Sequence, residues 1–393
     1  MTAKRTNPAQ RHAAVGRPSA GSIAFLLMAA LSFFLVLFCA ETATGAMKHA
    51  LTLCAETVVP ALFPFMVVSE LIVASGAATA LGKLLAPLFR RLFGVGGAGG
   101  SAILLGFACG FPIGAKSAVG LYDAGSISRG DLCYLLCVCN QPSSAFVTGV
   151  VGVSLFGSYR FGLLLYGLTL ASGLAVGLVL RCLLKKDEYV CQTERANAPQ
   201  RTGVSRFTDA VAGSARGMLT VCAFVCFFGT LVACLSSLPA VQALPPVLSA
   251  LTVGFFELTG GVSQAAACTP PALAAYASAW CLGWSGLSVH FQILSLCDRA
   301  GLSFRPYFAA KAAQGVLNVT LLAAVFRLWP NLVPKGALPS VSLHTPHRAW
   351  PLSVGLLALA TLVLVARWGK RYANAQKICQ NSRRKERKEW EIP

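Results

Sequence analysis

The stretch Gly106-Phe-Ala-Cys-Gly-Phe-Pro-Ile-Gly-Ala-Lys-Ser117 lies within a long apolar region and decides the fold. Three glycines and Pro112 fall within nine residues, and proline removes a backbone donor, so one straight helix is excluded. Broken backbone at membrane depth is tolerated only where it is buried in protein or lines a cavity. We therefore expect residues 100–124 to form a helical hairpin that enters the bilayer and turns near 110–114. A kinked spanning helix, with Lys116 reaching the surface, is the alternative.

The composition of the chain is that of a membrane protein with many helices. Of its 393 residues, 55% are apolar and only 12% are charged, whereas soluble proteins carry about 25% charged residues. The net charge of +19 comes from short segments beside apolar stretches, which is the pattern of cytoplasmic loops. No basic face carries interleaved aromatic residues. We therefore expect the lipid bilayer, and not a nucleic acid, as the partner of these charges.

The second half of the chain repeats the order of parts found in the first half. In the first half, the hairpin at 100–124 precedes a span interrupted at 140–144. In the second half, a hairpin candidate at 244–268, broken at 257–261, precedes a span interrupted around 283–288. Gly106-Phe107 then aligns with Gly254-Phe255. An internal repeat is the simplest explanation, and unrelated spans with a coincidental pattern are the alternative.

Counting the spans predicts the topology. If both termini lie in the cytoplasm, the number of full spans must be even, and the apolar segments give about eight transmembrane helices. In that arrangement the two hairpins open to opposite sides of the membrane. The predicted fold is therefore all-α: a polytopic membrane protein with two re-entrant helical hairpins in inverted repeats. Carriers built from such repeats bind their substrate near the bilayer midplane, where the repeats meet.

These features divide the chain into seven segments. They are a cytoplasmic tail at 1–20, a first transmembrane helix within 21–46, a first repeat at 47–183, a cytoplasmic loop at 184–206, an inverted second repeat at 207–328, a loop and last transmembrane helix at 329–367, and a basic cytoplasmic tail at 368–393.

The four breaks supply the candidate substrate-binding residues. Each break exposes backbone groups, and the N-terminus of a half-helix favours an anion. Lys116 adds a full positive charge beside the first break, so a small anionic solute is the expected substrate. The candidates are Gly110, Pro112, Gly114, Lys116, Ser117, Asn140, Gln141, Ser143, Ser144, Glu257, Thr259, Gly260, Ser285, Ser288 and Gln292.

Several of these polar side chains also have a structural interpretation. Lys116 could simply pair with Glu70 or Glu257. Glu257 could bind a coupling cation, relay a proton, pair with Lys116, or hydrogen-bond a broken helix. Gln314 and Asn318 could complete the wall of the site, or they could only join neighbouring helices.

No arrangement of residues indicates catalysis. The sequence contains no Walker A motif, no His-Glu-x-x-His and no Gly-x-Ser-x-Gly. The cysteines lie mostly in apolar runs, where they act as small hydrophobic residues. We therefore expect no enzyme activity, no catalytic residue, no metal and no cofactor.

The residues at the breaks resemble one known family. Gly110-Phe-Pro-Ile-Gly-Ala-Lys116, Gly125-Ser-Ile-Ser128 and Asn140 look like the YlbJ-type sporulation integral membrane proteins. Glu257-Leu-Thr-Gly-Gly261, Ser285-Gly-Leu-Ser-Val289 and Gln292 fit the second half of that pattern. The resemblance covers about 47–328 and includes the nucleoside-recognition "gate" domain. It implies a role in spore maturation, by moving dipicolinic acid across the outer forespore membrane of the mother cell.

Three functions therefore compete at this point. The first is a transporter of a small anion, with dipicolinic acid as the implied substrate and the cell membrane or outer forespore membrane as its location. The second is a membrane assembly protein that transports nothing and binds other sporulation membrane proteins, or a second copy of itself. The third is a nucleoside carrier. Charged side chains facing one midplane cavity favour transport over assembly.

Overall fold

The computed structural model describes residues 20–75, 84, 86–183, 203–297, 302 and 304–334. Within these residues every regular element is a helix. The chain is thus an all-α, polytopic membrane protein, as its composition predicts. The helix predicted within 329–367, both predicted tails and most of the loop at 184–206 lie outside the described residues.

The chain enters the first half through two helices that meet at a sharp bend. The helix Ala20–Phe38 is followed at once by Ala40–Leu53, and their axes differ by 99°. A π-helical turn, Cys54–Val58, then leads into Val59–Ala74. We name 40–74 leading helix 1. The helix predicted within 21–46 therefore ends at Phe38, and the next one begins earlier than expected.

The predicted hairpin of the first half is present. Its arms are Gly97–Cys109 and Ile113–Asp123, and the chain reverses between them at 110–112. We name 97–123 hairpin 1. The arms approach closely because both are glycine at the point of contact: a Cβ atom at Gly114 would lie 2.7 Å from the Cα atom of Gly106.

The span after hairpin 1 is broken where the sequence predicts. Its first part, Arg129–Cys139, begins with a capping box in which Ser128 and Asp131 bond each other's backbone N–H groups. Its second part contains the π-helix Phe146–Leu155. We name 129–155 broken span 1. The helix Tyr159–Leu183, named closing helix 1, completes this half.

The second half contains the same parts in the same order. Leading helix 2 is Gly203–Ser236, and a short helix Pro239–Gln242 follows it. Hairpin 2 consists of Pro246–Phe256 and Leu258–Ala266. Broken span 2 consists of Pro271–Trp284 and Gly286–Leu296. Closing helix 2 is Arg305–Leu328, which a short 3₁₀ turn Pro330–Leu332 follows.

The repeat extends to the packing of the hairpins. In hairpin 2, a Cβ atom on Gly261 would overlap the backbone of Gly254, just as Gly114 meets Gly106 in hairpin 1. This contact matches the alignment of Gly106-Phe107 with Gly254-Phe255. Leu135, Leu180, Ile293 and Tyr307 lie in one buried core, so the two halves pack together. The opposite orientation of the hairpins in the membrane stays a prediction.

Three of the described helices are long and apolar enough to cross a membrane by themselves: Tyr159–Cys182, Gly203–Ser236 and Arg305–Leu328. Two bent helix pairs are also apolar enough: Leu26–Phe38 with Ala40–Glu56, and Ala86–Phe93 with Gly97–Cys109. Counting each pair as one span raises the number to five among the described residues. This count does not test the eight that the sequence predicts, because the last predicted helix lies outside the described residues and the breaks divide other apolar segments into shorter helices. Exposed side chains such as Leu219 and Phe227 give leading helix 2 an apolar outer surface, which suits lipid.

Candidate functional site

All four breaks meet at one cavity. Its empty volume is about 860 Å³, including space that is open to the outside. The two leading helices complete the wall. The lining residues are Leu53, Val58, Leu62, Phe111, Ser143, Phe146, Val150, Val221, Phe224, Val225, Glu257, Leu258, Thr259, Ser288, Val289 and Gln292.

In the first half, the tip of hairpin 1 rests directly on the break of broken span 1. The backbone N–H of Phe111 donates to the carbonyl oxygen of Gln141 at 2.8 Å. Gly110 has a φ of +76°, and a Cβ atom there would lie 2.6 Å from the Cα atom of Ser143. Only glycine suits both the left-handed backbone and the close contact. The break and the tip therefore form one unit.

In the second half, the break of broken span 2 rests on the tip of hairpin 2 in a similar way. Here the glycine is in the break: Gly286 has a φ of +80°, and a Cβ atom there would lie 2.9 Å from the backbone nitrogen of Leu258. The indole N–H of Trp284 donates to the carbonyl oxygen of Phe255 at 2.9 Å. Each hairpin tip is thus attached to the broken span of its own half.

Glu257 forms the tip of hairpin 2 and caps the helix that follows it. Its two carboxylate oxygens accept the backbone N–H groups of Thr259 at 2.8 Å and Gly260 at 2.6 Å. The side chain is 5% exposed and lines the cavity. The first turn of a helix stabilises a negative charge, which explains how a carboxylate is accommodated in this apolar segment.

The cavity also offers neutral hydrogen-bonding groups. Gln292 is buried, and its Nε2 atom has no hydrogen-bond partner among the residues that the structure describes. A buried donor without a partner is costly, so a ligand acceptor at this position would be favourable. Ser143, Thr259 and Ser288, which carry hydroxyl groups, line the same cavity.

Five of the fifteen predicted site residues line the cavity: Ser143, Glu257, Thr259, Ser288 and Gln292. The others lie beside or behind it. Gly110, Pro112, Gly114, Gly260 and Ser285 belong to the hairpins and breaks that shape the cavity. Ser144 lines a smaller neighbouring cavity, which shares Leu62, Phe111 and Ser143 with the first. Asn140 and Gln141 are buried and do not reach the lining.

Lys116 and the adjacent Ser117 are not in the lining of the cavity. The ammonium group of Lys116 forms an ion pair with the carboxylate of Glu70, and the two side chains are 42% and 23% exposed. Of the partners considered from the sequence, the structure thus brings Glu70 and not Glu257 to Lys116. A direct role for Lys116 in binding the solute stays a prediction.

The sequence reasoning missed one buried charge, Lys311 of closing helix 2. Its side chain is completely buried, and its ammonium group donates to the carbonyl oxygen of Asn140 at 2.9 Å and to Oε1 of Gln314 at 2.8 Å. A signal was available: Lys311, Gln314 and Asn318 recur at helical spacing in an apolar helix, which places three polar side chains on one face.

Gln314 and Asn318 connect Lys311 to the rest of the core. Nε2 of Gln314 donates to Oε1 of Gln141 at 2.6 Å and to the carbonyl oxygen of Thr169 at 3.0 Å. Nδ2 of Asn318 donates to Oγ1 of Thr169 at 3.0 Å and to the carbonyl oxygen of Ala279 at 2.8 Å. This network joins both closing helices and both broken spans behind the cavity. Among the described residues, no cluster of His, Cys, Asp or Glu is arranged to bind a metal ion.

Comparison with known proteins identifies the family. No family model matches the sequence, and no solved structure matches it. The chain is 30% identical over 349 residues to the sporulation integral membrane protein YlbJ of Bacillus subtilis (strain 168). This alignment covers 78% of the present chain and 83% of the relative. The chain belongs to the YlbJ family. Membership in the YlbJ family supports a role as a membrane protein of sporulation.

Proposed function

We propose that this protein carries a small anionic solute, dipicolinate, across the outer forespore membrane during sporulation. The observation that carries the proposal is the convergence of four helix breaks on one cavity. Discontinuous helices of this kind form the substrate sites of carriers. A scaffold that only binds other proteins has no need of such a cavity. Family membership supports the link to sporulation.

The chemistry of the lining supports an anion with several acceptor atoms. The helix that begins at Gly286 starts at the cavity, and the positive end of its dipole favours negative charge. The end of the helix that begins at Leu258 is already capped by Glu257. Gln292 offers a free donor, and Ser288 adds a hydroxyl group. Dipicolinate presents two carboxylates and a ring nitrogen, all acceptors. The negative charge of Glu257 opposes an anion, but two backbone N–H groups already bind that carboxylate.

A nucleoside is the second candidate substrate, and one observation favours it. Among the described residues, Glu257 is the one charged side chain in the lining, and a carboxylate accepts hydrogen bonds from sugar hydroxyl groups. Neutral amides and hydroxyls such as Gln292 and Ser288 suit a nucleobase equally well. The same transport assay separates the two candidates.

The test is uptake of radiolabelled dipicolinate and, separately, uridine by liposomes that contain the purified full-length protein. We expect uptake of dipicolinate and not of uridine. Gln292→Leu removes one hydrogen bond to a charged ligand, which is worth about 1.5–3 kcal/mol, and should weaken binding about 10- to 150-fold. Gln264→Leu, at an exposed position of hairpin 2, is the matched control and should transport normally.

Each other outcome has a clear meaning. Uptake of uridine alone would replace dipicolinate by a nucleoside. Uptake of neither solute, by protein that remains folded in the liposomes, would favour the assembly role. Equal uptake by the Gln292→Leu and Gln264→Leu variants would remove the cavity from the transport path.

A further inference from the structure

The buried ammonium group of Lys311 has only neutral partners. Its side chain has no measurable exposure, and it donates to a backbone carbonyl and to a side-chain amide. No carboxylate among the described residues forms an ion pair with it; Glu257 bonds backbone N–H groups, and Glu70 pairs with Lys116. Burying a charge without an opposite charge is expensive, so the position must supply compensation of another kind.

That compensation comes from the end of a broken helix. The carbonyl that accepts from Lys311 belongs to Asn140, the residue at which the helix Arg129–Cys139 ends. The last carbonyl groups of a helix have no partner within it and carry partial negative charge. The oxygen of Gln314 adds a second neutral acceptor. A carbonyl and an amide oxygen at the end of a helix form a set of groups that suits a monovalent cation.

Carriers with discontinuous helices often bind a coupling ion at such a place. Unwound backbone carbonyls and the C-terminal ends of half-helices hold Na⁺ or H⁺ in these proteins. In this chain the side-chain amine of Lys311, which is covalently attached to closing helix 2, already occupies that place. The network through Gln314 and Asn318 extends the connection to closing helix 1 and broken span 2.

We propose that the ammonium group of Lys311 is a built-in cation that replaces a coupling Na⁺ at the break of broken span 1. Lys311 then stabilises the conformation of the break without bound sodium, and the carrier needs no sodium gradient at this site. The proposal rests on the proposed carrier function only where it speaks of coupling. Its test uses protein stability and requires no transported solute, so it can fail or succeed whichever solute is carried.

The first measurement uses the unaltered protein. The full-length chain in detergent is heated in equal concentrations of NaCl, KCl or choline chloride, and the melting temperature Tm is recorded. Because the cation site is already filled, we expect the same Tm in all three salts. A Tm that rises specifically in NaCl would show that the native protein binds Na⁺, and would overturn the proposal.

The second measurement removes the built-in cation. Lys311→Ala leaves the two oxygen acceptors and a space that Na⁺ with one or two of its water molecules can enter. We expect a lower Tm in choline chloride and a specific recovery in NaCl of about 3–5 °C when Na⁺ is tenfold above its Kd. Methylammonium should also restore stability, since it replaces the missing group itself.

Two further variants serve as controls. Lys311→Met keeps most of the side-chain stem and occupies the space, so its lowered Tm should not respond to NaCl. Lys48→Ala makes the same change at an exposed lysine and should behave like the unaltered protein. If NaCl does not recover folded Lys311→Ala protein, or recovers Lys311→Met equally, Lys311 is an ordinary structural lysine and the proposal is overturned.

Discussion

The tips of the two hairpins meet the same need with different chemistry. Each tip begins a new helix, whose first N–H groups have no partner within that helix. In hairpin 2 the carboxylate of Glu257 accepts two of them. In hairpin 1 no side chain caps the helix that begins at Ile113, and the tip is held instead by the backbone bond from Phe111 to Gln141.

The packing of the two hairpins, in contrast, is nearly the same. Both have a pair of glycines where their arms touch, and both press these glycines against a cysteine of the neighbouring broken span, Cys139 in one half and Cys281 in the other. The comparison teaches that the repeat retains its close backbone contacts, while the polar groups at its tips have diverged. Equivalent positions are therefore better found from small residues than from polar ones.

The largest expected effect comes from filling these contacts. A Cβ atom at Gly114 or Gly261 meets the backbone of the opposite arm, so Gly114→Ala and Gly261→Ala should each cost about 3 kcal/mol through overpacking. The measurement is the fraction of protein that remains folded on heating in detergent. Gly120→Ala is the matched control, because a Cβ atom there meets nothing. Similar stability of all three variants would contradict the close contacts, and a large cost at only one of Gly114 and Gly261 would contradict the equivalence of the two hairpins.

A smaller effect is expected from removing the cap that only hairpin 2 has. Glu257→Ala leaves the N–H groups of Thr259 and Gly260 without their acceptors, which should cost about 2 kcal/mol of unfolding free energy. Glu257→Gln keeps one acceptor oxygen and should lose about half as much. The check is thermal unfolding of both variants. Equal stability of the two variants would show that the negative charge, and not the capping bond, matters.

The bond that attaches broken span 2 to hairpin 2 can be removed without changing the first half of the chain. Trp284→Phe removes the hydrogen bond to Phe255 and should cost about 1 kcal/mol, with faster amide hydrogen exchange at the tip of hairpin 2. The corresponding bond in hairpin 1 is between backbone groups, and no substitution other than proline at Phe111 removes its donor. Trp280→Phe is the control, since it makes the same change in size on a neighbouring ring that stacks on Trp284 and lies beside Gly315. Faster exchange in hairpin 1 as well would mean that the halves are not independently attached.

The smallest effect concerns the partner of Lys116. A double-mutant cycle of Lys116→Met with Glu70→Gln should give a coupling of about 0.5–1 kcal/mol, typical of a partly exposed ion pair. The matched cycle of Lys116→Met with Glu257→Gln should give none. Coupling to Glu257 and not to Glu70 would show that Lys116 pairs with Glu257, the other acidic partner that the sequence allows.

The local breaks were predictable, because each depends on residues close together in the chain. Gly110 and Pro112 exclude a straight helix, and the polar residues of Asn140–Ser144 interrupt an apolar span. The alignment of Gly106 with Gly254 came from the same local pattern. Breaks of this kind identify where a helix ends, and hence which segments line the cavity.

The long-range contacts were not predictable from one sequence. Lys311 finds its backbone acceptor 171 residues away, and nothing near it in the chain indicates that partner. Lys116 had two acidic candidates, and only the packing of leading helix 1 against hairpin 1 selects Glu70. The orientation of the hairpins in the bilayer, and the identity of the solute, depend on the surroundings of the chain as well as on its residues.

The glycine contacts have a mechanical consequence. Since the arms of each hairpin touch backbone to backbone, one arm cannot slide past the other, and the hairpin must swing as a stiff lever. Because its tip is attached to the broken span of the same half, the hairpin and that span must move together as one rigid unit. The compliant places are then the short connections where no helix continues, at 94–96 and 124–128 for hairpin 1 and at 243–245 and 267–270 for hairpin 2. None of these residues lines the cavity, so any swing of a hairpin bends the chain outside the cavity lining.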